Sequence, residues 1–178
     1  MSGRARSAGV VFIHGLASIA ALGAVAMATG LPAVFPSLGP TAILLFASPS
    51  APAARAWKVL VGHAIGLLCG YGALLVCGLL ESPSALSTGV TAARVAAAAL
   101  SLAATGGLLV LTGAMHPPAG ATTLIVSLGV IRHPADLCVM EGAVALLLVL
   151  SWVLNRALPA ASGPPREGAE QERAPRGS

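Results

Sequence analysis

Between Lys58 and Arg94 the chain carries one charged residue, Glu81, and on either side it continues in long uncharged stretches. A helix needs about 20 apolar residues to cross a hydrocarbon core ~30 Å thick. Residues 8–31, 59–80, 95–112 and 137–154 approach or exceed that length, and the last of them contains one ionisable side chain, Glu141. Four long membrane-spanning helices are therefore predicted, which makes the lipid bilayer the chain's main partner. The composition agrees: 56% of residues are hydrophobic and 9% charged, against about 25% charged in a soluble domain.

The charges that remain mark the edges of the apolar stretches. Arg4, Arg6, Arg55, Lys58 and Arg156, with Arg166, Arg173 and Arg176 in the tail, flank or follow hydrophobic segments and report orientation. They do not form the continuous basic face that nucleic acid requires, and with 3% aromatic residues there is little for bases to stack on. Nucleic acid is excluded as a partner. Cys69, Cys77 and Cys138 lie in apolar surroundings without CxxC or Cys/His spacing, so no disulfide framework, metal site or cofactor is expected. The apolar stretch that follows Arg4 and Arg6 is too long for a signal-peptide core and reads as the first span. Residues 1–154 form one integral membrane domain, and the polar, Pro/Gly-rich residues 155–178 are predicted as a disordered tail.

Two further apolar segments, 32–47 and 113–131, are interrupted by proline and glycine near their starts and do not suit continuous helices. A shift of 81 positions superposes Pro36, Gly39 and Thr41 on Pro117, Gly120 and Thr122, so both segments read PxxGxT. Each is followed by aliphatic residues and lies between two long helices. Paired interrupted helices in corresponding positions are the mark of an internal repeat in transporters, here about 8–80 and 92–154. An extended stretch at about 3.3 Å per residue followed by a short helix at 1.5 Å per residue covers ~30 Å, enough to cross. Crossing also puts Arg4, Arg6, Arg55, Lys58 and the basic tail on one side, with Arg94 and Arg132 on the other, as the positive-inside rule prefers. Three crossings per half make the repeat inverted. The fold class is all-α and polytopic, with four long helices, two short broken ones and both termini in the cytoplasm of a bacterial inner membrane.

A helix that starts mid-membrane offers unpaired backbone N–H groups and the positive end of its dipole, which favours an anion. Ser37, Gly39 and Thr41 in the first segment and His116, Gly120 and Thr122 in the second are the candidate anion-binding residues. The glycines allow close approach to backbone, and the hydroxyls and imidazole donate hydrogen bonds. The two sets are expected to face each other, with Gly39 near Gly120. The plain alternative is that these prolines and glycines only kink two helices for packing. His63, His116 and Glu141 are ionisable groups inside spans and candidates for a proton relay, although Glu141 is near enough to its span end to snorkel. His14 is expected at the first interface. Gly62, Gly66 and Gly70, spaced by four, form a small-residue ridge for a neighbouring helix, either within the chain or in a homodimer.

The segment HPPAGATTLIVSLG, His116 to Gly129, resembles the signature of the HPP family of integral membrane proteins, and PSLGPTAILLFASPSAPAARAWKVLVGH, Pro36 to His63, is similar to that family's other block. The resemblance implies a four-helix membrane protein. Because some plastid and cyanobacterial members are implicated in nitrite transport, it also implies a carrier or channel for a small inorganic anion such as nitrite. Two other classes compete with that reading. An intramembrane enzyme could use His116, His63 and Glu141 as acid, base or ligands, but no HExxH or GxSxG pattern supports it and no catalytic residue is assigned. A membrane scaffold without transport activity would use the glycine ridge alone.

Overall fold

A computed structural model describes residues 3–158. It contains seven α-helices and, among the described residues, no strand: α1 (Gly3–Thr29), α2 (Leu38–Ala47), α3 (Ala56–Val76), the single turn α4 (Ala85–Thr88), α5 (Ala92–Leu111), α6 (Ala119–Ser127) and α7 (Pro134–Ala157). A 3-10 turn, Pro52–Ala54, precedes α3. The four long helices α1, α3, α5 and α7 are each apolar and long enough to cross a membrane, and the two short ones occupy the broken segments. Helix α7 continues through Ala157, past the expected boundary at 154. Residues 159–178 of the expected tail lie outside the described residues.

The chain stops and starts its helices with local chemistry. Pro134 opens α7 at its first turn, followed by Asp136 at the positive end of the helix dipole. The Thr91 side chain accepts from the Arg94 backbone N–H and caps α5. Helices α3 and α6 both end in a Schellman turn closed by a glycine with positive φ. Gly78 (φ 65) stands after α3 and Gly129 (φ 76) after α6, and the Leu79 and Val130 amides reach back to the carbonyls of Leu74 and Ile125.

Each broken segment, its extended entry together with its short helix, runs back along the bundle. In the second half, α5 ends at Leu111, and the chain then turns back along it. At the far end of α6 the Ser127 carbonyl accepts from Arg94, in the first turn of α5, and the Leu128 carbonyl accepts from the Ala85 amide. In the first half, the end of α1 (Val25, Thr29) and the residues after it (Leu31, Ala33) share a groove with Val139, Gly142, Ala143 and Leu146 of α7. Near the end of α2, the Leu45 carbonyl accepts from Asn155, in the last turns of α7. Each half thus traverses the bundle three times, and an odd number of passes inverts the second half relative to the first. The basic residues separate accordingly. Arg4, Arg6, Arg55, Lys58 and Arg156 lie at the end where α1 and α3 begin and α7 finishes, and Arg94 and Arg132 lie at the other.

The main apolar core gathers Leu22, Leu38, Phe46, Leu74, Met140, Val144 and Leu147 from α1, α2, α3 and α7. His14 is turned into this interior. It is 1% exposed, and its ring meets Phe46 edge-on at 5.2 Å.

The Gly62, Gly66 and Gly70 ridge is filled by the chain itself. A Cβ at Gly62 would lie 2.9 Å from the His116 Cβ, one at Gly66 2.7 Å from the Ala119 carbonyl oxygen, and one at Gly70 2.7 Å from the Val126 Cβ. Only glycine lets α6 and the segment that leads into it approach α3 this closely. A second copy docking at these three positions would have to displace α6.

Candidate functional site

Where the two broken segments meet α3, four fully buried polar side chains come together: Thr41, His63, His116 and Thr122. His63, one residue beyond Gly62, is the hub. Its Nε2 lies 2.9 Å from the Thr41 hydroxyl and its Nδ1 2.6 Å from the Thr122 hydroxyl. The two threonines that correspond in the PxxGxT repeat therefore sit on opposite nitrogens of one imidazole. His116 Nε2 is 3.3 Å from His63 Nε2 and 3.3 Å from the Thr41 hydroxyl, and the two rings are tilted with centroids 5.0 Å apart.

The hydrogen bonds to backbone fix where the protons are. His116 Nδ1 lies 2.9 Å from the Ala53 carbonyl oxygen, which can only accept, so Nδ1 carries the proton and the neutral ring presents a lone pair at Nε2. Thr41 donates to the Ser37 carbonyl at 3.1 Å. Its oxygen is then free to accept from His63 Nε2–H, and His63 Nδ1 accepts from the Thr122 hydroxyl. Both imidazoles are neutral in this arrangement, and the His116 Nε2 lone pair is left with only a share of the His63 Nε2–H, at 3.3 Å. Ser37, nearby, is fully buried and its hydroxyl has no partner.

The helix starts differ from the expectation of free backbone donors. At α2 the Leu38 and Gly39 amides bond to the Phe35 and Pro36 carbonyls, and Pro40 has no N–H. At α6 the Ala119, Gly120 and Ala121 amides bond to the His116, Pro117 and Pro118 carbonyls. These tight turns use the N–H groups that a helix otherwise leaves open at its start. The donors available at the site are side chains.

Gly39 and Gly120 are not in contact with one another. A Cβ at Gly39 would meet nothing within 4 Å, and one at Gly120 would meet only the Leu102 side chain, at 3.4 Å. The repeat converges at its threonines, two residues further on. Glu141 has no hydrogen bond to either histidine, and its Oε2 is buried without a partner. Among the described residues, no group of three or more His, Cys, Asp or Glu is arranged to hold a metal ion.

Several polar contacts had no signal in the sequence. Thr105 of α5 donates to Thr123 of α6 at 3.1 Å, one residue from Thr122. Arg94, 2% exposed, is caged by backbone: it donates to the carbonyls of Ser82 (3.0 Å), Pro83 (2.7 Å) and Ser127 (3.3 Å). It lies against Gly129, where a Cβ would come within 2.6 Å of the guanidinium. Arg132 joins it on the Ser82 carbonyl at 2.7 Å. These arginines tie the far end of α6 to the ends of its neighbours.

The profile of the HPP transmembrane region matches residues 2–164. The chain belongs to the HPP family. No curated protein and no solved structure matches it.

Proposed function

We propose that this HPP-family membrane protein carries a small inorganic anion across the bilayer, with nitrite the first candidate, and that the anion is held by Thr41, His63, His116 and Thr122 with Ser37 beside them. The observation that carries this reading is the pair of repeat-related threonines on the two nitrogens of His63. In an inverted repeat the pseudo-symmetric centre is equally related to both faces of the membrane, which alternating access requires of a binding site. Polar groups of this density inside spans are costly to keep buried and mark substrate pathways. Imidazoles and hydroxyls can turn their protons toward a small anion, and the unpartnered Ser37 hydroxyl supplies a further donor.

The anion replaces the internal hydrogen bonds of the cluster, so the helices that hold Thr41 and Thr122 part slightly as it enters and close again behind it. Orientation follows from charge. The end bearing Arg4, Arg6, Arg55, Lys58 and Arg156 faces the cytoplasm, and in a bacterium the protein resides in the inner membrane. Gly39 and Gly120 serve helix entry more than ligand contact.

Purified protein in liposomes should admit nitrite faster than protein-free liposomes do. Replacing Thr41 and Thr122 together by Val should reduce the rate about tenfold or more, since a hydrogen bond to a charged partner contributes about 1.5–3 kcal/mol. A panel of nitrite, nitrate, formate and bicarbonate without protein-dependent entry of any member would contradict the proposal.

A further inference from the structure

The cluster holds no fixed positive charge. The groups bonded to the two imidazoles are the Thr41 hydroxyl from α2, the Ala53 carbonyl from the 3-10 turn, the Thr122 hydroxyl from α6, and each other. No lysine, arginine or carboxylate bonds to either ring. Arg94 and Arg132 are held by carbonyls at the far end of α6. An anion entering this site would therefore bring an unbalanced charge into fully buried surroundings, at a cost that buried charges meet only when paired.

One pair of atoms can supply the balance. His116 Nδ1 is committed to the Ala53 carbonyl, which leaves the Nε2 lone pair facing His63 Nε2 at 3.3 Å. Once His63 moves its own proton from Nε2 to Nδ1, where it donates to the Thr122 hydroxyl, a proton added at His116 Nε2 lies between the two rings, and a single positive charge is then shared beside the Ser37 and Thr41 hydroxyls. A second proton is opposed, because two imidazolium rings at this distance repel in a poorly screened interior.

Resting on the transport reading above, we propose that the His63–His116 pair takes up one proton with each monovalent anion, so that the two cross together without net charge. The proton comes from the solution on the side of entry, resides on the imidazole pair while the anion is bound, and leaves with it on the other side. Nothing is oxidised or consumed. Transport then responds to a pH gradient and not to membrane potential.

The test uses the intact protein in liposomes with sodium nitrite outside and a pH-sensitive dye inside. Initial rates are read against protein-free liposomes, because nitrous acid itself permeates. With the potential clamped at zero, acidifying the outside should speed protein-dependent uptake, with one proton entering per nitrite. A pH gradient of one unit drives about tenfold accumulation of an electroneutral pair. With no pH gradient, an imposed potential of either sign should leave the rate unchanged.

Uptake that follows potential and ignores the pH gradient overturns the coupling and leaves the transport reading standing. Absence of uptake for nitrite, nitrate, formate and bicarbonate overturns both. His116→Gln keeps a donor for the Ala53 carbonyl but cannot take the proton, and its pH-driven initial rate should fall at least tenfold. A folded His116→Gln protein with wild-type pH dependence would contradict the proposal, and if that variant does not fold, the wild-type gradient experiment decides alone.

Discussion

The bundle packs a short helix of one half against the last long helix of the other half twice, and it does so in two different ways. On one side α6 lies on α3 through Gly62, Gly66 and Gly70, where even a Cβ would come within 2.7–2.9 Å of its neighbours. On the other side α2 lies with α7, where the positions related by the repeat are Ala143, Leu147 and Ser151, and Val144 stands in place of His63. Leu147 and Val144 are buried in the main apolar core with Phe46 and Leu38. Close backbone contact sets the first interface, and side-chain bulk sets the second. Inversion of the halves therefore does not duplicate the site. It brings one threonine from each half to a single histidine, on the side where the backbone leaves no slack.

That contrast can be broken most severely at Gly66. Gly66→Leu puts a branched side chain where a Cβ would already stand 2.7 Å from the Ala119 carbonyl oxygen, a backbone atom that cannot rotate away. The expected outcome is loss of monodisperse folded protein in size-exclusion chromatography. Recovery of a wild-type profile would mean that α6 does not lie on α3 as described.

The opposite change tests the opposite interface. Leu147 is fully buried, and Leu147→Ala should lower stability by about 2–5 kcal/mol through the cavity it leaves. This is measurable as a fall in thermal midpoint, whereas Ser151→Ala, at the edge of the same face, should change it little. The smallest effect is expected at Gly39, which has room for a methyl group. Gly39→Ala in the first turn of α2 should be neutral, or stabilising by up to about 1 kcal/mol from helix propensity, with nitrite entry retained. A large loss of transport in that variant would return Gly39 to ligand contact.

Much of this architecture was legible beforehand because membrane spans are written in hydrophobic length. The four long helices fall where uncharged runs predict them, and the short helices α2 and α6 lie inside the two segments that proline and glycine interrupt. Thr41 and Thr122 were visible through their shared spacing, and His63 and His116 through the cost of an ionisable group in a span. The way these residues join was not visible, because it depends on contacts between distant segments. No local pattern reveals that His116 bonds to the Ala53 carbonyl, that Arg94 is satisfied by backbone alone, or that the glycine ridge faces the chain's own α6. For His14 the same holds: its distance from Arg6 bears on its level along α1, but not on the fact that its face of the helix packs on Phe46. The expectation of free N–H groups failed at the prolines and tight turns, which use those donors before a ligand could.

The protein has four histidines, and this permits a direct test of the central claim that the anion is held at the His63–His116 pair. With 15N-labelled histidine in lipid bilayers, solid-state NMR can follow all four rings as sodium nitrite is added. The account predicts that the His63 and His116 ring nitrogens shift together and saturably, while buried His14 and exposed His133 stay unchanged. Shifts confined to His14 or His133, or none at His63 and His116 at nitrite concentrations that support uptake, would contradict it.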